Sequence, residues 1–291
     1  MLLRIVAILF PLFAIAALGY AIGHQRQPDM AHANQLNIDV FVPALVFAAM
    51  TRQGFHVNAH WPLLFATFVV IAGSGVVGWA IARGLGMAPK TLVPTLMFNN
   101  CGNLGLPLAV LAFGEQALAP AVVMFVVSNI MHFSFGSWYL NQQMAWSSVW
   151  KSPTVIASVA GLAVNAAGWS IWPPLLTAIK MVGDISIPLM LFALGVRLAQ
   201  SQIQAVGIGM LGATLRPVVG MVLAWGTATA MQLPAQEQAL LLVFGALPPA
   251  VLNYMFAERY QQEPEKVASM VLVGNVAALL FLPIALALAL P

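Results

Sequence analysis

Asp39-Val-Phe-Val-Pro43-Ala-Leu-Val-Phe47 returns as Asp184-Ile-Ser-Ile-Pro188-Leu-Met-Leu-Phe192, with Asp, Pro and Phe each displaced by 145 positions (39 to 184). An aspartate and a proline inside an apolar helix are each uncommon, so their joint return marks an internal duplication. Three further matches keep the same order. Pro11 and Gly19 face Pro153 and Gly161, displaced by 142 (11 to 153), and Val76 to Gly78 face Val218 to Gly220 at the same displacement (76 to 218). MFVVSN from Met124 to Asn129 faces MVLVGN from Met270 to Asn275, displaced by 146 (124 to 270).

The chain around these matches is not that of a water-soluble domain. Of 291 residues 61% are hydrophobic and 7% charged, with a mean hydropathy of +0.92, where a soluble protein carries roughly 25% charged residues. The charges fall between apolar runs of about 18 to 25 residues, the length that crosses a hydrocarbon core of roughly 30 Å as helix. The runs lack period-2 alternation, so helices and not barrel strands satisfy the backbone in lipid. Ten spans are expected, at about 5–22, 34–51, 61–83, 89–112, 118–140, 153–170, 175–197, 205–231, 236–257 and 267–289. Residues 2–22 are read as a span and not a signal peptide, because the run is long for one and has a partner later in the chain. Short connections leave one membrane domain, 1–291, made of a first repeat at 1–145 and a second at 146–291.

Five spans per half is odd, so the second half enters the membrane in the opposite sense and the repeat is inverted. With an outside N-terminus, Arg26, Arg83, Lys90, Lys151, Arg197, Arg259 and Lys266 are cytoplasmic and only Arg4, Arg52 and Lys180 lie outside. That bias favours both termini in the periplasm. It also accounts for the net charge of +3 without a nucleic-acid partner, since the basic residues are scattered singly. The lone Cys101 forms neither an internal disulfide nor a cysteine metal cluster.

The fourth and ninth spans cannot run through as helix. Asn99-Asn100-Cys101-Gly102-Asn103-Leu104-Gly105-Leu106-Pro107 sets three amides, two glycines and a proline in the middle of the fourth. Gly245-Ala246-Leu247-Pro248-Pro249, with Asn253 one turn on, interrupts the ninth. Unwound backbone at membrane depth survives where protein or a water-filled cavity surrounds it, and paired breaks in inverted halves point to a transport site. Each half-helix beyond a break offers free N–H groups and a partial positive charge, suited to a carboxylate. Asn99, Asn100, Asn103, Gly105, Pro107, Pro248, Pro249 and Asn253 are therefore the candidate substrate-binding residues. The competing reading is that the prolines only kink packed helices and the amides bridge them.

At these residues the chain resembles the auxin efflux carrier family, which includes plant auxin exporters and bacterial permeases of the wider bile acid and auxin transporter superfamily. GNLGLPL at 102–108 and ALPPAVLNYMFAERY at 246–260 carry the resemblance best, with Arg216-Pro217 and Gly19-Tyr20 beside them. It implies ten spans, a scaffold and a transport domain, and fourth and ninth helices that cross at their breaks, by position at Pro107 and Pro248. It implies a multi-pass protein of the bacterial inner membrane carrying small carboxylates such as malonate or malate. Plant members hold a long cytosolic loop between the halves, where this chain has only MAWSSVWKSP at 144–153, so auxin itself transfers less readily.

Asp39 and Asp184, each four residues before a proline, suit ion coupling by taking up a proton, or a salt bridge or helix contact. Asn129 and Asn275 join them as coupling candidates or as helix-packing amides. Arg216, inside the eighth span, could balance a substrate carboxylate, pair with an aspartate, or snorkel towards the cytoplasmic face. His56 and His60 have helical metal-ligand spacing without an accompanying Glu or Cys and are read as an interfacial loop. No HExxH, GxSxG or paired-aspartate motif argues for an enzyme. A secondary transporter of a small organic anion is expected, with an auxin-like exporter or an ion-conducting channel as alternatives. No cofactor is expected beyond a coupling proton or sodium ion, and the expected partners are the anion, membrane lipid and a second copy as homodimer.

Overall fold

Proline opens and glycine closes many of the helices. Pro89, Pro153, Pro173 and Pro264 stand in first turns, where their missing N–H costs nothing. Gly86, Gly114 and Gly168 take φ of +65°, +84° and +65° where helices end. The computed structural model describes residues 1–52, 57–141, 150–201 and 203–290. His56 and most of the 144–153 link lie outside them.

Among the described residues, besides the short 3-10 turn Val57–His60, twelve helical segments follow: α1 Leu2–Arg26, α2 Ala31–Met50, α3 Trp61–Gly84, α4 Pro89–Met97, α5 Cys101–Phe113, α6 Glu115–Asn141, α7 Pro153–Ala166, α8 Pro173–Gln200, α9 Val206–Ala230, α10 Ala235–Ala246, α11 Val251–Arg259 and α12 Pro264–Ala289. Seven of them, α1, α2, α3, α6, α8, α9 and α12, are long and apolar enough to cross a membrane. Large apolar side chains such as Leu3, Phe10, Trp61, Val222, Trp225 and Leu288 face outward, as the lipid-facing surface of a multi-pass membrane protein requires. Among the described residues there is no strand beyond an isolated bridge between Asn99 and Pro249.

Two groups of helices form. In one, α1 packs on the second half of α8, and α2 on α7 and the first half of α8. In the other, α3 packs on α4 and α9, while α9 packs on α10 and α12. Lipid tails are as apolar as the helices, so close van der Waals approach has to drive such pairing. Gly19 and Gly195 permit it between α1 and α8: a Cβ on Gly19 would lie 2.1 Å from the Phe192 carbonyl oxygen, and one on Gly195 1.9 Å from that of Ala16.

Three helices carry a π-helical turn, in which one extra residue widens the coil: Asn37–Phe41 in α2, Cys101–Gly105 in α5 and His132–Gly136 in α6. The first two end just before Pro43 and Pro107, where the wider turn relieves the clash of the proline ring with the turn before it. In α8 the same demand at Pro188 is met by an interruption at Ile185 instead.

Candidate functional site

The expected breaks are present. Helix α4 stops at Met97 and α5 begins at Cys101; α10 stops at Ala246 and α11 begins at Val251. Residues 98–100 and 248–250 lie antiparallel across each other. The Asn100 N–H donates to the Pro248 carbonyl at 2.8 Å, and the Ala250 N–H to the Phe98 carbonyl at 2.9 Å. Backbone freed by one break is thus satisfied by the other, as burial demands.

Asparagine amides complete the crossing. Asn99 Nδ2 donates to the Phe244 carbonyl at 2.6 Å, and Asn253 Nδ2 to the Phe98 carbonyl at 2.9 Å. Asn100 Nδ2 donates to Asn275 Oδ1 at 2.9 Å, while Asn275 Nδ2 donates to the carbonyls of Val271 and Pro249. These four amides hold protein: Asn275 uses both of its N–H donors on carbonyls, and Asn99, Asn100 and Asn253 one each.

Beside the crossing lies a cavity of about 230 Å³. Its walls include Asn99 to Asn103 on one side and Ala250 to Leu252 on the other, with Asn37, Ser128, Asn129, His132 and Thr154 around them. All three π-helical turns contribute to it. The first main-chain bond of α5 is donated by Leu104 to the Asn100 carbonyl, which leaves the N–H groups of Cys101, Gly102 and Asn103 without main-chain acceptors. In α11 the first such bond comes from Asn253 to Ala250, so the N–H groups of Val251 and Leu252 likewise lack a main-chain acceptor among the described residues. Two helix N-termini meet on one small cavity, and the side-chain amides of Asn103 and Asn129 make no hydrogen bond among the described residues.

Several expectations need correction. Pro107 is not at the crossing; it sits a turn further along, inside α5, because the π-helical turn lets the helix continue through it. Gly105 packs on the Leu247 side chain, and Pro248 and Pro249 supply carbonyls. Arg216 does not snorkel and pairs with neither aspartate. It is fully buried, donates through Nη1 to the Gly245 carbonyl at 3.0 Å and leaves Nε and Nη2 unpartnered among the described residues. There it faces the C-terminal end of α10, whose partial negative charge it offsets. The aspartates are exposed and not inside the protein. Asp39 accepts a bond from Gln35, while Asp184 lines a separate cavity of about 370 Å³ with Arg52, Glu115 and Lys180.

Among the cavity residues not expected from the sequence, two stand out. Asn37 and His132 are buried, and each leaves a polar atom, Oδ1 and Nε2, without a partner among the described residues. The His132 ring stacks on Phe98 with centroids 4.0 Å apart. An ionisable group inside a span is the sequence signal for His132, but none of the internal sequence matches includes it.

The family described as membrane transport protein matches residues 4–143 and 136–286, both sides of the link. The chain belongs to it, the family of the auxin efflux carriers. A putative malonate transporter of Rhizobium meliloti is 25% identical over 93% of the chain and 91% of its own length. An uncharacterized transporter of Methanocaldococcus jannaschii is 21% identical over 65% of each chain. Auxin efflux carrier component 2 of Arabidopsis thaliana is 26% identical over 47% of the chain, which spans only 22% of that carrier.

Proposed function

We propose that this family member is a secondary transporter of small organic anions, of the malonate or malate kind, working by alternating access. The observation that carries the reading is the convergence of two half-helix N-termini and two unspent amides on one cavity at the crossing. A carboxylate there would meet N–H donors and two positive helix ends, with no cation needed in the wall. The relative covering most of the chain is a putative malonate transporter, which favours a dicarboxylate over an auxin-like substrate.

In this reading α4 with α5 and α10 with α11 each make one span, α7 makes another, and ten spans form two inverted halves. Packing supports the symmetry. Gly19 of α1 lies on Phe192 of α8, and its match Gly161 of α7 lies on Phe47 of α2, the match of Phe192. The group containing α1, α2, α7 and α8 would be the scaffold, and the other group would shift against it. Neighbouring cavities share Asn103, Val251 and Arg197 and lead from the crossing towards Gln200 and Glu258. The positive-inside bias makes that the cytoplasmic side of the inner membrane, with both termini periplasmic.

Purified protein in liposomes tests this. Malonate-loaded vesicles should exchange labelled malonate with saturation, and Asn103→Ala should weaken apparent affinity about tenfold while leaving the melting temperature within a few degrees. Unchanged affinity would remove the crossing as the site, and flux linear in malonate would make the protein a channel. The same vesicles at stepped pH and sodium name the coupling ion.

A further inference from the structure

Between α3, α4 and α6 runs a groove of about 480 Å³, lined by Phe68, Val76 and Trp79 of α3, Met97 of α4 and Phe135 and Tyr139 of α6 among others. Phe68, Val76 and Trp79 are between 46% and 68% exposed, so the groove opens to the surroundings. Ser134 also borders it, but its hydroxyl is spent on the Ile130 carbonyl. From Phe68 to Trp79 is eleven residues (79 minus 68), about 16 Å of helix, or half of a roughly 30 Å hydrocarbon core. The groove therefore has the length of one leaflet.

Its two ends differ. At the Trp79 end the Arg83 guanidinium carbon lies 5.4 Å from the Trp79 ring centroid and within electrostatic reach of Tyr139. Lys90 reaches the same end, donating to the Leu140 carbonyl at 2.9 Å. Among the described residues no carboxylate pairs with Arg83 or Lys90, and the Tyr139 hydroxyl makes no hydrogen bond. An amphipathic aromatic pair with unpaired cations is how a protein meets the headgroup layer on the side where phosphate is met. The nearby carboxylate of Glu263 is occupied by Lys266 and Thr91.

We propose that this groove is a binding site for one anionic phospholipid of the leaflet facing Arg83. An acyl chain lies between Phe68 and Trp79, the phosphate sits at Arg83, and Tyr139 donates its hydroxyl. The chain rests on Met97, the last residue of α4 before the break, whose sulfur fills the space left by Gly75. The lipid thus touches the broken helix directly. This inference does not depend on which solute the protein carries.

Native mass spectrometry of the purified full chain tests it, with phosphatidylglycerol and phosphatidylcholine of identical acyl chains and glycerol phosphate as a chainless probe. Phosphatidylglycerol should be retained about fivefold better than phosphatidylcholine, the effect of one basic residue near a lipid surface. Arg83→Gln should erase that preference, and Val76→Trp, whose ring fills the groove from an exposed position, should lower retention of both lipids. Melting temperatures confirm that each variant is folded. Equal retention of the two lipids by the unaltered protein, or unaltered phosphatidylglycerol binding by either variant, overturns the proposal. So does retention of glycerol phosphate as strong as that of the lipid, since a phosphate site would then need no groove.

Discussion

The two breaks meet each other but are not built alike. At the first, the carbonyl just past α4 faces main chain and amide: Phe98 accepts from Ala250 and Asn253. At the second, the last turn of α10 has Asn99 on the Phe244 carbonyl and a buried cation, Arg216, on that of Gly245. The spacing of the sequence matches sets Ser74 against Arg216, displaced by 142 (74 to 216), and Ser74 bonds the Val70 carbonyl of its own helix. A fixed positive charge thus stands behind one break of the crossing and not the other. For an anion carrier that asymmetry raises the potential of the crossing without setting a cation in the cavity, where it would hold the solute too tightly to release.

The largest expected effect breaks this comparison at its centre. Arg216 lies within electrostatic reach of Cys101, which lines the cavity. A unit charge on the order of 10 Å from an anion is worth about 1.7 kcal/mol at an effective dielectric of about 20, more than tenfold in affinity. Arg216→Met should therefore weaken substrate affinity about tenfold in the exchange assay. Its melting temperature should not fall, because a buried cation with two unpartnered nitrogens, Nε and Nη2, costs stability that a side chain of similar volume does not. Arg216→Lys should stay within about threefold of the unaltered protein, and Ser74→Ala should change nothing. A tenfold loss in both Arg216 variants would assign the residue to shape and not to charge.

A second pair of substitutions asks how far each break relies on its amide. Leucine at Asn99 leaves the Phe244 carbonyl with only the Leu247 N–H at 3.3 Å, whereas leucine at Asn253 leaves the Phe98 carbonyl with the Ala250 N–H at 2.9 Å. Asn99→Leu should cost about 2 kcal/mol of stability and Asn253→Leu about 1, within the range for a buried acceptor deprived of a donor. Thermal or denaturant unfolding reads the difference. The reverse order would mean that the amides act as donors to something other than these carbonyls.

Interruption of the fourth and ninth spans is legible in the sequence because amides, glycines and prolines clustered in an apolar run are costly unless the helix opens there. The pairing of Asp39-Pro43 with Asp184-Pro188 is likewise legible as a recurring pattern. The position of the first break is not legible. Pro107 has the chemistry of a breaker, but a π-helical turn absorbs its clash, and the chain actually unwinds at 98–100, where amides across the crossing take up the freed carbonyls. Pro43 and Pro188 show the same ambiguity, one relieved by a wider turn and the other by an interruption. Burial of Arg216 is equally hidden, since the carbonyl it serves lies 29 residues away on another helix. Membrane depth read along one helix does not reveal which way a side chain faces.

The smallest effect lies at the outer ends of the broken helices. The third residue of α4, Thr91, donates to Glu263, and the third residue of α10, Glu237, pairs with His60 at 2.7 Å; the two are matched at a displacement of 146 (91 to 237). Lys266, and after it Thr91, hold the Glu263 carboxyl below the ordinary carboxylate range. A carboxyl so depressed contributes stability that is full above its unfolded value, about 4.3, and is lost as pH falls through the folded value. Both side chains of the Glu263–Lys266 pair are more than a third exposed, so solvent screening holds the contribution under about 1 kcal/mol. Unfolding followed from about pH 6 down to about pH 3 should show a loss of that size which Glu263→Gln lacks. A loss several times larger, removed by the same substitution, would mean that the broken helices are anchored at their rims; the small one expected leaves the crossing itself as what holds them in place.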